Sequence, residues 1–240
     1  MQYLLRRKIA PIIFIVLICP IACFSQLGEN LYLEDHDDKE GFRYGIHLGL
    51  NRSHYNFLQH PRFLQFDSVM VIESINSTGL NFGMLINKRL GNHWDFRTFL
   101  SLVFTEKAFE YNLKYPDIPG GEEKLTVKKV QSITFPFPVS LKFSSDRIGN
   151  FKVFMMGGFK AEYDFAAGKS KGDIINLKKS DFGIEGGIGF HIYREFFVLT
   201  PEVKFGWGLT NVHDRNKDIK FSNTIDVINS RTLTFSLTIE

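Results

Sequence analysis

Between Gly79 and Phe104 this chain keeps a strict period of two. Leu80, Phe82, Met84 and Ile86 alternate with Gly79, Asn81, Gly83, Leu85 and Asn87. Past Leu90 and a short Gly91-Asn92-His93, Trp94, Phe96, Leu100, Leu102 and Phe104 stand against Asp95, Arg97, Ser101 and Thr105. Successive side chains of a strand point to opposite faces, so this period predicts a β-hairpin with one apolar face. Gly-Asn between the runs reads as turn chemistry, supplying the positive-φ positions of a tight connection. Each run is about 10 residues long, the length a tilted strand needs to cross a bilayer core. Strands of soluble proteins are more often about half as long.

The rest of the chain repeats this unit. Phe42, Tyr44, Ile46, Leu48 and Leu50 alternate with Arg43, Gly45, His47, Gly49 and Asn51, and similar runs cover about 133–143, 151–164, 182–192, 199–210 and 232–239. Long irregular segments, 52–77, 112–126, 166–179 and 211–227, follow every odd-numbered run; short turns follow the even ones. Eight runs with that alternation predict an all-β fold, an eight-stranded antiparallel up-and-down transmembrane β-barrel of outer-membrane type over residues 42–240. The long segments are expected outside the cell and both chain ends in the periplasm.

Alternation alone does not say which face is inside. Glycine does. Gly45, Gly49, Gly79, Gly83, Gly158, Gly183, Gly187, Gly189, Gly206 and Gly208 share the polar face, and only Gly157 and Gly186 fall on the apolar one. A solvated face has no steric need for glycine, whereas the lumen of an eight-strand barrel is narrow and filled by side chains. The apolar face therefore points to lipid. Trp94, Phe143, Phe151 and Tyr193 on the turn side, with Phe104, Tyr163 and Trp207 on the loop side, are the expected interfacial girdles.

The first 25 residues set the compartment. Arg6-Arg7-Lys8, an apolar core from Ile9 to Cys19 and Cys23-Phe24-Ser25 before Gln26 read as a secretory signal peptide. A lipoprotein signal with Cys23 acylated is the alternative. Residues 26–41 read as a flexible acidic periplasmic lead-in. Cleavage removes both cysteines, Cys19 and Cys23, and the three basic residues that make the net charge +3, leaving the remainder formally neutral. No polybasic footprint survives, so nucleic acid is not an expected partner. The expected location is the outer membrane of a Gram-negative bacterium.

On this register Asp95, Arg97, Lys142, Lys160, Glu162, Glu185, Glu202 and Lys204, with His47 and His191, project into the lumen. An ion or proton path is one reading; a plug of opposite charges paired in a confined interior is the favoured one. No catalytic, cofactor or metal site is expected: no Ser/His/acid set falls on lipid-facing positions, and no G-x-S-x-G occurs. His54, His60 and His213 sit in expected loops, match no zinc spacing and read as solvated. Asn51-Arg52-Ser53 and Asn76-Ser77-Thr78 match the glycosylation sequon by chance. No cofactor or small-molecule substrate is expected. Pro136 and Pro138 have another consequence. Alternate residues of a strand address the same neighbour, so the two prolines remove two donors from one seam. The wall should be thinned or bulged there, as a harmless kink or as a candidate lateral notch for a partner strand or a lipid.

The strand motifs resemble the PorT family. They are Phe42-Arg43-Tyr44-Gly45-Ile46-His47-Leu48-Gly49-Leu50-Asn51, Gly79-Leu80-Asn81-Phe82-Gly83-Met84, Phe96-Arg97 through Phe104, and Glu110-Tyr111-Asn112-Leu113. Later come Phe137-Pro138-Val139-Ser140-Leu141-Lys142-Phe143, Gly157-Gly158-Phe159-Lys160 and Pro201-Glu202-Val203-Lys204-Phe205, so the resemblance spans about residues 41–240. It implies an outer-membrane component or assembly factor of the type IX secretion system, which exports proteins with a C-terminal targeting domain and serves gliding motility. Secretion-system proteins and outer-membrane lipids are the implied partners, and the family carries no catalytic residues. Pro136 is an addition to the family pattern, and the chain ends in Thr-Ile-Glu rather than Phe. A stand-alone structural or adhesive barrel working through its loops is the alternative.

Overall fold

Alternating residues become a barrel only if the last strand finds the first, and here it does. The computed structural model describes residues 41–59, 69–113, 125–167, 177–213 and 225–240. Its strands are β1 (Phe42–Gln59), β2 (Val69–Ile75), β3 (Ser77–Arg89), β4 (Trp94–Leu113), β5 (Leu125–Ser144), β6 (Phe151–Asp164), β7 (Ser180–Tyr193), β8 (Val198–Gly208) and β9 (Ile225–Ile239). β1 pairs antiparallel with β3, each strand from β3 to β8 pairs antiparallel with the next, and β9 closes on β1 from Ile46↔Ile239 to Gln59↔Ile225. β2 and β3 both pair with β4, β3 along Asp95–Thr105 and β2 along Ala108–Leu113, with Asn76 between them. They are two pieces of one wall position. The wall thus has eight.

The apolar face points outward. Phe42, Tyr44, Ile46, Leu48 and Leu50 are each at least half exposed, while His47 on the same strand is fully buried. The belt ends abruptly in cross-strand register. Leu50, Leu80, Phe104 and Ile133 stand in one row, and beyond them come Arg52, Thr78, Glu106 and Gln131. Phe42 to Leu50 is nine residues, which suits a tilted strand in a bilayer core. Steric evidence agrees. A Cβ added at Gly83 or Gly158 would press into the backbone of the neighbouring strand, whereas at the outward Gly157 and Gly186 the nearest atoms lie at 3.9 and 3.8 Å.

Several expectations need correction. The segment 52–77 is not irregular throughout: β1 continues to Gln59, and β2 occupies Val69–Ile75. β4 extends to Leu113, and β5 starts at Leu125 rather than near 133. Strand pairing therefore persists well past the belt, as a collar. β9 likewise begins at Ile225, inside the expected 211–227 loop. Neither Gly91 nor Asn92 takes a positive φ; the turn is closed instead by Leu90 and Gly91 N–H groups donating to the Trp94 carbonyl at 2.9 and 3.1 Å. The left-handed residue is Gly149, at φ 59°, in the β5–β6 turn. Tyr193 is no girdle residue, since it is buried with the Arg147 guanidinium 3.9 Å from its ring centroid. His54 lies exposed on β1 and His213 is buried, so neither is a solvated loop histidine. Residues 1–40, with the expected signal peptide and most of the lead-in, and His60 lie outside the described residues.

From the alternation of long and short connections the collar is expected outside the cell. Cysteines introduced at the exposed Lys179 and Asp226 should react with an impermeant maleimide on intact cells, and cysteines at Asn92 and Asp146 should react only after permeabilisation. The reverse pattern would invert the barrel.

Candidate functional site

An eight-strand wall leaves room inside for side chains and little else. The register fills that room with charge. On the turn side Asp95 meets Lys142 at 2.7 Å and Arg43 at 3.5 Å, and Lys142 Nζ lies 3.1 Å from His191 Nε2. The other ring nitrogen of His191 is 2.8 Å from Thr200 Oγ1. One layer further in, Glu202 lies 3.0 Å from Arg97 and 3.0 Å from Lys204, and it accepts from Ser236 Oγ at 2.9 Å. His47 sits 3.7 Å from the same carboxylate, between Thr238 and Asn81. Arg97 also faces Glu240 at 3.7 Å. Above this layer Lys160 pairs with Glu162 at 2.8 Å. Glu185 points into the same region, half-buried, and makes no ion pair among the described residues.

Aromatic rings complete the packing. Phe99 and Phe154 face inward and are 2% exposed. Lys204 lies 3.9 Å and Arg97 4.9 Å from the Phe99 ring centroid, while Lys142 lies 5.2 Å from that of Phe154. Dehydrated cations gain most from such ring faces. Neither ring was singled out from the sequence, although each falls on the inward parity, two residues from Arg97 and Lys152.

Above the belt the lumen ends in a capped cavity of about 40 Å³. Lys107 pairs with Asp164 at 2.9 Å, and Ser132 donates to the same carboxylate at 2.6 Å. Burial disfavours both charges. Tyr55 and Asp164 nevertheless hold the Lys107 pKa above its ordinary value, and Lys107 and Ser132 hold the Asp164 carboxyl below the usual carboxylate range. Over this pair Tyr55, Phe109, Leu177, Val212, Ile225 and Ile228 form a small apolar core, and a bridge joins Leu177 to His213. Among the described residues no group of three or more His, Cys, Asp or Glu side chains could hold a metal ion.

Pro136 and Pro138 face this interior at a break in the wall. The β4–β5 ladder runs from Trp94↔Phe143 to Thr98↔Val139 and resumes at Val103↔Thr134. The register is the same on both sides, so the seam is thinned without a bulge. Thr98 Oγ1 donates to the Pro138 carbonyl at 2.7 Å, which shows that this carbonyl, and with it the imide nitrogen, faces β4. Pro136 has the same parity. Both missing donors therefore fall opposite Phe99 and Ser101, beside a lumen cavity of about 20 Å³ that Phe99, Ser101, Lys160, Glu162 and Glu185 also line. Thr98 has outward parity but is buried, its hydroxyl turned into the seam.

A closed eight-strand wall, an apolar belt and a lumen of charges packed against rings define an outer-membrane barrel. The chain belongs to the family described as outer membrane protein beta-barrel domain, whose model matches residues 24–214. Among solved structures it is similar to Neisserial surface protein A, at 9% identity and TM-score 0.42 over 83% of this chain and 99% of that one. OprG from Pseudomonas aeruginosa is similar at 12% identity and TM-score 0.43, over 84% and 94% of the two chains. Ail, the attachment invasion locus protein of Yersinia pestis, is similar at 12% identity and TM-score 0.38, over 84% and 99%. Such distant likeness says nothing about what the chain does. No curated protein matches it.

Glu202 is the acid on which the central layer converges. Its replacement by Leu leaves Arg97 and Lys204 buried beside His47, and should cost about 3–5 kcal/mol, the penalty for an uncompensated buried charge. Phe82→Leu on the lipid face should cost less than about 1.5 kcal/mol. Urea unfolding in lipid vesicles, followed by heat-modifiable gel migration, measures both; equal losses would contradict this register. Adding Lys204→Leu to Glu202→Leu should recover part of the loss, because the two sites share one network.

Proposed function

We propose that this barrel is a non-enzymatic component or assembly factor of the type IX secretion system, delivered to the outer membrane by a cleaved signal peptide. What carries the reading is the ordered set of PorT-like strand motifs across about residues 41–240, which fall on the strands of the wall. The packing supports the manner of action. Arg97 and Lys142 block the bore with almost no exposure, and an apolar core caps it. A lumen so filled carries no exported protein. Such a barrel works through its rims, its collar and its lipid-facing wall, by holding partners or helping them assemble.

Within that reading the thinned β4–β5 seam is the candidate lateral contact. Two carbonyls without ladder donors, screened by Leu100, Leu102 and Phe137, are what an added strand or a lipid could address. The other reading, a stand-alone structural or adhesive barrel, draws on the collar, where β4 and β5 carry 20 residues each and present paired backbone beyond the membrane.

Deleting the gene should strand proteins with a C-terminal targeting domain in the periplasm while unrelated outer-membrane proteins insert normally. Fractionation and immunoblotting check this. Unchanged export would favour the stand-alone barrel. Replacing both Pro136 and Pro138 with Val returns two donors to the seam, and stability should rise by about 1 kcal/mol per restored bond. If the seam is a contact, export by the same variant falls. A more stable variant with normal export would leave the prolines as shaping residues only.

A further inference from the structure

Three basic side chains stand where the apolar belt ends on the β8–β9–β1 side of the wall. Cross-strand register sets them in two outward rows. The upper reads Trp207, Arg231, His54; the lower reads Phe205, Leu233, Arg52. The row below, Val203, Phe235, Leu50, is wholly apolar. Arg231 lies directly opposite His54 and diagonally from Arg52, close enough for long side chains to converge on one small group.

All three are exposed, and none has a hydrogen bond or ion pair among the described residues. No acid stands in these rows. The contrast with the β4–β5 part of the collar is direct: there the outward Glu106 is paired with Lys129 at 2.7 Å. Arg52 and Arg231 are diagonal neighbours of like charge, within reach of one another. A basic cluster without acids, held at the edge of hydrocarbon, is therefore short of an anion. With Asn76, Phe205, Trp207 and Leu233 the three line a groove of about 210 Å³ on the outside of the barrel. Its upper end is cationic and its lower end is an apolar wall. Two guanidinium forks suit the oxygens of a phosphate, and a tryptophan at this level is at home in the headgroup region.

We propose that Arg52, Arg231 and His54 form a binding site for the phosphorylated headgroup of a membrane lipid, with its acyl chain against Phe205 and Leu233. The collar's expected outward orientation makes this an outer-leaflet lipid. The site requires that the chain sit in an outer membrane and is independent of any role in secretion, since it is tested on the purified protein.

The full chain, folded in detergent micelles, is incubated with diphosphoryl lipid A or with the same lipid after phosphatase treatment. Retained lipid is read by native mass spectrometry. The wild type should keep the phosphorylated form about tenfold better, as expected when charge-assisted contacts to a phosphate are lost. The double variant Arg52→Gln/Arg231→Gln should lose that preference, and Lys129→Gln should keep it. Heat-modifiable migration reports whether each variant is folded; should the double variant not fold, the single Arg231→Lys, which keeps the charge and loses the fork, should still weaken the preference. A wild type that does not distinguish the two lipids, or a folded double variant that still does, would overturn the site.

Discussion

Hydrocarbon offers no partner to a backbone N–H or C=O, so every one of them in the wall must be satisfied by the neighbouring strand. This requirement is what the β1–β9 ladder meets when it closes the sheet from Ile46↔Ile239 onward. It also gives meaning to the places where the ladder fails: β7–β8 skips two pairs beside Pro201, between Gly189↔Glu202 and Ile192↔Leu199, and β4–β5 skips four. Opposite Pro136 and Pro138 the register continues but the bridges do not, and the Thr98 hydroxyl turns in from the lipid side to the Pro138 carbonyl. A side chain there substitutes for part of the missing ladder. The seam is weakened chemically while its geometry is kept, which distinguishes it from a bulge, where an added residue would have re-aimed the strand.

Closure at eight wall positions then fixes the bore, and the bore dictates the lumen chemistry. Close to the wall only glycine fits at positions such as Gly83 and Gly158, and the space so gained is taken by long charged side chains from other strands. Charges this deep persist only when each meets an opposite charge, a hydroxyl or a ring face. Glu202 meets two cations and a serine, and Phe99 lies under Lys204 and Arg97. The network and the sealed bore are one fact. Any activity must therefore be exercised on surfaces: the rims, the collar and the wall.

The wall and its inside–outside sense were legible in the sequence because period two and glycine placement are local signals. The eight inward charges were legible for the same reason, since parity alone points Asp95 or Lys204 into the lumen. Which of them meet was not, because partners such as Arg97 and Glu202 lie on strands far apart in the chain and touch only across the bore. Phe99, Phe154 and Thr98 escaped notice because the faces were read by residue type, although their parity is as plain as that of Arg97. The collar escaped for a physical reason. Above the belt the outward face of β1 and β4 no longer meets lipid, so the outward Arg52, His54, Glu106 and Glu110 erase the hydrophobic alternation while the ladder continues. Loss of amphipathicity marks the end of the membrane and not the end of the strand.

That distinction separates the surfaces of the barrel. β4 and β5 carry their pairing far beyond the belt, and the proline seam lies low in that tallest part of the wall, within the apolar band. β8 stops at Gly208, close to the level where the belt ends, so the wall steps down between β9 and β8. Arg52, His54 and Arg231, without an ion pair among the described residues, stand beside this step. On the high side, outward charges are balanced within the protein, as in Glu106 and Lys129, and the backbone lacks donors. On the low side the β8–β9 and β9–β1 ladders run unbroken through the basic rows, and those rows lack acids. A partner made of polypeptide can supply what the first surface lacks, and an anionic lipid can supply what the second lacks. Because these wants differ in kind, the two sides of one small barrel can be occupied at once without competing.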